Sequence, residues 1–389
     1  MTSAVEDARA GLDALSRGDA VGARELLLRA LEGGQSGAPL LFGIAQACRQ
    51  LADSRGAAAA LDRLLRAEPR NLSALIQRGD LYVDSGDSRA AVSFYQAALR
   101  AAPPKNQLAG AMVEELDRVQ AACERYAREY ADAVSTHLAR KGFDPARSSR
   151  RFAESVDIVL GKRQIFVQQP KYYYFPGLPQ IQFYDRSFFP WFTQLEAATQ
   201  VIREELLGVM RDPGAFKPYV EGNPNRPRKE EAGMIDNPDW SAFYLWKNGE
   251  PIPANAARCP KTIEALRNAP LALTPNRSPS ILFSLLRPGT RIPPHHGLVN
   301  TRLICHLPLI VPGRCAFRVG NEIREWKVGE AWAFDDTIEH EAVNDSEETR
   351  VILLFDIWRP ELVDEERRLV NALFESIDLQ TGQKPAWEI

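Results

Sequence analysis

The stretch ILFSLLRPGTRIPPHHGLVNTRLICHL, residues 281–307, indicates the fold of the C-terminal half of the chain. Two apolar runs flank a turn signal at Pro288-Gly289. Further short apolar or alternating runs, separated by Gly and Pro, occupy residues 241–246, 315–319, 331–334 and 350–358. Short β-branched and aromatic runs bounded by turns are typical of antiparallel sheets. The sequence therefore predicts a double-sheet barrel of the jelly-roll kind, preceded by a helix at about residues 191–210.

Histidines concentrate in this part of the chain. Four of the five lie at positions 295, 296, 306 and 340, whereas His137 lies far upstream. Imidazole is the side chain best suited to hold a transition metal or to move a proton near neutral pH, so the cluster indicates a site in the barrel. We interpret His137 as a partly exposed helix residue. We interpret His296 as a bystander, because strand alternation turns it away from its neighbour.

Composition and charge exclude several classes of protein. The 389 residues are 25% charged and 45% hydrophobic, which is the balance of a globular chain with two or three domains. The net charge of −3 does not suggest a nucleic-acid partner. The five cysteines are scattered without a C-x-x-C pair, which favours a reducing compartment. The start of the chain does not resemble a signal peptide, and no apolar run is long enough to span a bilayer, so we expect a cytoplasmic protein.

The N-terminal third contains an internal repeat. A small residue followed by Asp recurs every 34 positions, at Gly18-Asp19, Ala52-Asp53 and Gly86-Asp87. Alanines at 23, 57 and 91 and leucines at 31, 65 and 99 keep the same step. A tight turn between two helices that pack closely explains this pattern, and the period resembles tetratricopeptide repeats. The alternative is an Ala- and Leu-rich helical bundle whose spacing is coincidental.

These patterns predict the domain organisation. Residues 1–141 form the tetratricopeptide-like solenoid, with residues 108–141 as its capping helix, and its groove is expected to hold a peptide or protein segment. Residues 142–175 are predicted to be a linker that ends in the aromatic run YYYFPG. Residues 176–389 form the barrel domain, with a polar surface loop at 223–237.

The spacing of the histidines suggests a particular metal chemistry. His295 and His340 would lie on neighbouring strands, and Arg350 follows ten positions after the second histidine. This layout resembles Fe(II)/2-oxoglutarate oxygenases, in which an arginine fork pairs with the far carboxylate of the oxoacid. However, the usual His-x-Asp or His-x-Glu motif has Gly297 in the place of the acid. Either a water molecule takes that place, or the site is not an oxygenase.

Longer motifs make the second half of the chain resemble a known family. They are DWSAFYLW (239–246), CPKT (259–262), SLLRPGT (284–290), HxGxxNxRLxxHL (295–307), FDDxxEHE (334–341) and DIWRPEL (356–362). Together they resemble the catalytic domain of the aspartyl/asparaginyl β-hydroxylases. That family holds iron with two histidines and no protein carboxylate, so the resemblance accounts for Gly297.

The resemblance also implies roles for individual residues. His295 and His340 match the iron ligands. The residues that match contacts to 2-oxoglutarate are Trp240, Ser284, His306 and Arg350. Asp336 could hold an iron-bound water, although Asp335-Asp336 could equally form only a turn, and Arg302 is assigned to substrate binding. Two departures stand out: Ile304 replaces a second arginine of many family members, which puts an aspartyl substrate in doubt, and Cys259 lacks its usual partner.

We therefore expect an Fe(II)- and 2-oxoglutarate-dependent dioxygenase. It would hydroxylate the β-carbon of an Asp/Asn-type residue in a peptide or protein, with succinate and CO₂ as co-products. The alternative is a catalytically silent repeat scaffold that binds a partner protein. A cupin-like metalloenzyme without a co-substrate is a third possibility, but it would leave Arg350 unexplained.

Overall fold

The computed structural model describes residues 3–222 and 233–381, and the chain divides into two compact units, Met1–Leu160 and Gly161–Ile389. The boundary falls inside residues 142–175, the stretch that the sequence assigns to a linker. That stretch contains a helix, Arg150–Val159, and its last residues belong to the second unit. Residues 223–232 of the loop predicted at 223–237 lie outside the described residues.

The first unit is helical. Its helices are α1 Ala4–Ser16, α2 Ala20–Glu32, α3 Ala38–Gln50, α4 Ser54–Ala67, α5 Leu72–Asp84, α6 Ser88–Ala101, α7 Gly110–Arg140 and α8 Arg150–Val159. The first six form three antiparallel pairs, and α7 packs on α6 through Leu116, Val119 and Ala122. This is the expected solenoid with a following helix, and His137 is exposed on α7.

The repeated dipeptides form the turns between paired helices. The residues at positions 18, 52 and 86 have φ of +84°, +57° and +80°, a left-handed conformation that turns the chain sharply. The aspartate that follows each of them caps the next helix, because its Oδ1 accepts the backbone N–H three residues later at 2.9 Å. The alanines at 23, 57 and 91 are completely buried, which allows the paired helices to approach closely. These contacts confirm the helical repeat.

The second unit is built on eleven described strands. They are β1 Lys217–Pro218, β2 Trp240–Lys247, β3 Glu250–Pro251, β4 Ile281–Leu286, β5 Thr290–His295, β6 Arg302–Ile310, β7 Cys315–Val319, β8 Glu322–Glu325, β9 Trp332–Phe334, β10 His340–Asn344 and β11 Arg350–Trp358. The helices are α9 Phe192–Ala197, α10 Thr199–Met210, α11 Pro253–Ala256, α12 Pro260–Ala265 and α13 Asp364–Thr381. Within the described ranges, no helix is both long and apolar enough to cross a membrane.

The strands form two antiparallel sheets. The larger has the order β1-β2-β4-β11-β6-β9, with β3 paired to β2, and the smaller has the order β5-β10-β7-β8. From β4 onward the chain passes repeatedly between the two sheets, so strands that are adjacent in sequence mostly lie in different sheets. This topology confirms the predicted jelly roll.

The larger sheet has two different faces. On β6, Leu303, Cys305 and Leu307 join the apolar core that includes α9 and α10. The alternate residues Arg302, Ile304 and His306 face the interior of the barrel and line a cavity. The period of two along a strand therefore separates the core residues from the candidate site residues.

Candidate active site

A cavity of about 350 Å³ lies inside the barrel. Every residue that the sequence assigned to metal, oxoacid or substrate contributes to its wall: Trp240, Ser284, His295, Arg302, His306, Asp336, His340 and Arg350. Gly297 and Ile304 also line it, whereas His296 is not among its described lining residues. Residues from strands far apart in the sequence thus meet in one place because β4, β6, β10 and β11 turn one face inward.

His295 and His340 are neighbours across the smaller sheet. They are register partners at the ends of β5 and β10, and their ring centroids lie 4.0 Å apart. Nδ1 of His295 lies 2.8 Å from the carbonyl oxygen of Pro293, and Nδ1 of His340 lies 3.1 Å from that of Ile338. A carbonyl can only accept, so each Nδ1 donates its hydrogen and each Nε2 keeps a lone pair. This is the tautomer that ligates a metal through Nε2.

Burial keeps both imidazoles uncharged. Desolvation lowers the pKa of His295 to about 4, and it lowers the pKa of His340 well below the ordinary value. Both rings are therefore neutral near pH 7, as metal ligation requires. In the parts of the chain that the structure describes, no group of three or more His, Cys, Asp or Glu side chains is arranged to hold a metal ion. His295 and His340 are a pair of neutral imidazoles that could bind a metal.

The carboxylate of Asp336 fills the space next to Gly297. A Cβ atom built on Gly297 would lie 2.1 Å from Asp336 Oδ2, far inside van der Waals contact. The backbone N–H of Gly297 also donates to the carbonyl of Asp336 at 2.6 Å. Burial raises the pKa of the Asp336 carboxyl to about 7. The acidic side chain beside Gly297 therefore comes from the loop before β10 rather than from position 297.

Arg350 is a buried cation for which the described residues provide no anionic partner. Its side chain is 1% exposed, and within the described residues its Nε and Nη1 atoms have no hydrogen-bond partner. The guanidinium lies over the Trp326 ring at 4.7 Å, and burial lowers its pKa to about 10. His306 Nδ1 is also buried without a partner in the described structure, and Ser284 Oγ lies 3.4 Å from Trp240 Nε1. Such a pocket can accept a carboxylate and would gain its missing hydrogen bonds by doing so.

Arg302 differs from Arg350, because it is already paired. Its Nη1 donates to Asp356 Oδ2 at 2.7 Å, and its Nη2 lies 3.4 Å from Asp336 Oδ2. All three side chains are at most 8% exposed. Among the described residues, one cavity arginine, Arg302, is therefore paired with two carboxylates, and the other, Arg350, is paired with none.

A buried hydrogen-bond network connects two loops that flank the histidine strands, the loop after β5 and the loop before β10. Gln168 donates from Nε2 to Asp335 Oδ2 at 2.6 Å, and its Oε1 accepts Asn300 Nδ2 at 2.9 Å. Arg359 Nη1 also donates to Asp335 Oδ2, at 2.8 Å. Asn300 follows His295 closely, and Asp335 precedes His340 closely. Gln168 therefore fixes the separation of the two loops.

Sequence reasoning missed several residues of the site. Strand alternation from Arg350 could have identified Asp356, since both face inward from β11. Tyr219 stacks on Trp240 with centroids 4.2 Å and planes 10° apart, and Trp326 lies beneath Arg350. Neither aromatic residue, nor Gln168, has a sequence signal, because their contacts join segments that are distant along the chain.

Comparisons with known proteins agree with this architecture. Residues 196–360 match the family model described as aspartyl/asparaginyl beta-hydroxylase, and residues 72–105 match a tetratricopeptide repeat. The human aspartyl/asparaginyl beta-hydroxylase is 34% identical over 197 residues, which are 47% of this chain and 24% of the relative. Aspartate beta-hydroxylase domain-containing protein 2 of Xenopus tropicalis is 31% identical over 212 residues, which are 54% of this chain and 55% of the relative.

A bacterial relative has a different name. The ornithine lipid ester-linked acyl 2-hydroxylase of Rhizobium tropici is 32% identical over 180 residues, which are 46% of this chain and 60% of the relative. The chain thus spans less than two thirds of each of these relatives. Both resemblances seen in the sequence are nevertheless confirmed as matches: residues 196–360 match the aspartyl/asparaginyl beta-hydroxylase family model, and residues 72–105 of the helical region before them match a tetratricopeptide repeat.

Proposed function

We propose that this protein is an Fe(II)- and 2-oxoglutarate-dependent dioxygenase that hydroxylates the β-carbon of an Asp/Asn-type residue in a peptide or protein. Succinate and CO₂ would be the co-products. The observation that carries the proposal is Arg350, a buried guanidinium with no anionic partner in the described structure, 1% exposed at the wall of a cavity that also contains two neutral imidazoles.

The residues present fit the two groups. His295 and His340 offer two Nε2 lone pairs to iron, and open positions would remain for the oxoacid and for O₂. Arg350 would hold the far carboxylate of the oxoacid, with Ser284, His306 and Trp240 as further contacts. Iron and the oxoacid, when bound, supply the oxidising chemistry that inserts oxygen into a C–H bond.

The chain's own side chains would orient and shield the reaction. The Gln168 network would hold together the two loops that flank the histidine strands. The Nδ1 bonds to backbone carbonyls fix the orientation of both rings. Asp336 would accept a hydrogen bond from a water at the metal, beside Gly297. The buried side chains of Trp240, Phe334 and their neighbours would shield the reacting atoms from bulk water on that side of the cavity.

The repeat region would bind a partner protein or the substrate. Tetratricopeptide solenoids bind peptide or protein segments, so we propose that the first unit recruits or presents the substrate. All five cysteines are free and buried, which supports a reducing compartment such as the cytoplasm. The rival is a silent scaffold that keeps only the partner-binding function. It would not need a neutral histidine pair beside an unpaired arginine.

Calorimetry separates these functions. With Mn(II) in place of Fe(II) under air, we expect 2-oxoglutarate to bind the full chain only when metal is present. His340→Ala should lose the metal and therefore the oxoacid, while Glu325→Gln, an exposed change on β8, should bind both like wild type. If wild type binds no 2-oxoglutarate with metal, or if His340→Ala binds as wild type does, the proposal is wrong.

A further inference from the structure

The charges on the cavity wall restrict the substrate. Apart from Arg350, the described cations that line the cavity are Arg302 and Lys247, and both are paired. Lys247 Nζ lies 3.3 Å from a Glu221 carboxylate oxygen at the rim. Arg302 bonds to Asp356 and Asp336, as described above. Lys247 and Glu221 are both exposed at the rim, so the described cation that remains on the inner wall once Arg350 holds an oxoacid is Arg302, which is already paired with buried carboxylates.

Asp356 adds an acceptor to this wall. Its Oδ2 accepts the backbone N–H of Ser280 at 3.0 Å and the Arg302 guanidinium at 2.7 Å. Within the described residues, its Oδ1 accepts no hydrogen bond, although Asp356 lines the cavity. A ligand group with an N–H donor would give Asp356 Oδ1 the hydrogen bond that it lacks within the described residues. A ligand carboxylate would instead meet like charge at Asp356.

Ile304 completes the wall between Arg302 and the oxoacid residue His306. It faces the cavity from β6, is 6% exposed, and its register partners are Asp356 on β11 and Phe334 on β9. Its hydrocarbon side chain cannot hydrogen-bond or pair with a charge. Rotation of Arg302 towards a substrate anion would leave the buried Asp356 carboxylate without its cation, which is strongly unfavourable.

We infer that the cavity selects a substrate whose reacting arm is an uncharged primary carboxamide, as in an asparaginyl side chain, and rejects a carboxylate arm such as an aspartyl side chain. The carboxamide NH₂ group donates to Asp356, and no negative charge is brought to the wall. A purely alkyl arm would bury the Asp356 oxygen without a donor. This inference rests on the proposed function, and Asp356 is its specificity-determining residue.

Three synthetic peptide libraries test the inference. Each has randomised flanks and a fixed centre of Asn, Asp or Leu, and each is incubated with the full chain, Fe(II), ascorbate, 2-oxoglutarate and air. Fragment mass spectra then locate any added oxygen. We expect oxidation of the Asn-centred library at its centre, at least tenfold above the Asp-centred and Leu-centred libraries.

A variant of Asp356 tests whether this residue determines the preference for a carboxamide. Asp356→Asn removes the cavity carboxylate and leaves Arg302 with spare charge, so the ratio of Asp-centred to Asn-centred product should rise at least tenfold. Glu325→Gln removes a carboxylate outside the cavity and should leave the ratio unchanged. Binding of 2-oxoglutarate is measured on the same samples, so that a lost oxoacid site is not mistaken for changed selectivity.

The outcomes separate this inference from the proposed function. If metal-dependent 2-oxoglutarate binding is absent, the proposed function itself fails. If binding is present, the carboxamide assignment is overturned by equal or preferred oxidation of the Asp-centred or Leu-centred library, or by oxidation of no library. The wild-type ratio decides the substrate class even if Asp356→Asn does not fold. An unchanged ratio in a folded Asp356→Asn protein would overturn the role of Asp356.

Discussion

Replacing each cavity arginine by methionine should change stability in opposite directions. Burial lowers the pKa of Arg350 to about 10, at least two pH units below its usual range, and each unit corresponds to 1.36 kcal/mol. At pH 7 the guanidinium is charged in both the folded and the unfolded chain, so the folded state bears the whole penalty of about 3 kcal/mol. Arg350→Met removes the positive charge and keeps most of the length of the side chain. After allowance for lost packing of the stem, we expect the ligand-free unfolding free energy to rise by about 1–3 kcal/mol.

Arg302 is the matched control within the same cavity. Arg302→Met would leave Asp356 and Asp336 buried without their cation. Breaking a buried ion pair in this way costs about 3–5 kcal/mol, so this variant should be strongly destabilised. Two arginine-to-methionine substitutions, on strands that pair with each other, are thus expected to change the unfolding free energy in opposite directions.

Tryptophan fluorescence during urea unfolding measures the unfolding free energy of the second unit, which contains both arginines. All seven tryptophans lie at or after position 191, so the signal reports the second unit even if the repeat unit unfolds separately. With metal and 2-oxoglutarate at about 100 times its dissociation constant, wild type should gain about 2.7 kcal/mol, and Arg350→Met should gain nothing from the oxoacid. Ligand-free destabilisation of Arg350→Met by more than about 1 kcal/mol, or an undiminished response to 2-oxoglutarate, would refute the reasoning.

Two further substitutions test the loops around the histidines. Gly297→Ala should destabilise the second unit by about 2 kcal/mol or more, because its Cβ would overlap Asp336. This cost should largely disappear when Asp336 is also replaced by alanine, and a double-mutant cycle of urea unfolding measures the difference. Gln168→Leu should cost about 2–4 kcal/mol, because Asn300 and Asp335 each lose a buried hydrogen bond, and should weaken Mn(II) binding about 10- to 100-fold by calorimetry. Mn(II) affinity equal to wild type in a folded Gln168→Leu protein would show that the network does not position the ligands.

The strands that carry strong local patterns could be predicted from the sequence. Residues 350–358 were expected as a strand and form β11 with those bounds, and the run at 241–246 is β2 with one residue added at each end. The dipeptide repeat also predicted the helical turns, because a left-handed residue followed by a capping aspartate is a local requirement. Local chemistry is therefore sufficient where the structure is determined by neighbours in sequence.

The structure confirms that His295 and His340 lie on neighbouring strands, but the local pattern of residues 290–295 does not predict the strand that carries His295. β5 contains Pro293 and Pro294, which argue against a central strand. The structure places β5 at an edge of the smaller sheet, paired only with β10, where a missing N–H donor is tolerated. Its position depends on pairing with residues 340–344, and no property of residues 290–295 alone specifies that partner.

Gly297 and Asp336 show why a motif and a site differ. A search that requires an acid two positions after His295 would reject this chain. In the folded protein, Asp336 occupies the volume into which a side chain at 297 would extend, so an acidic group still lies at the position that follows His295 by two residues. Only glycine at position 297 leaves room for that carboxylate. The glycine and the aspartate are therefore one structural feature shared between two loops. A substitution at only one of the two positions changes metal affinity partly through a steric clash at 297 or a cavity at 336, and not only through the loss of the carboxylate.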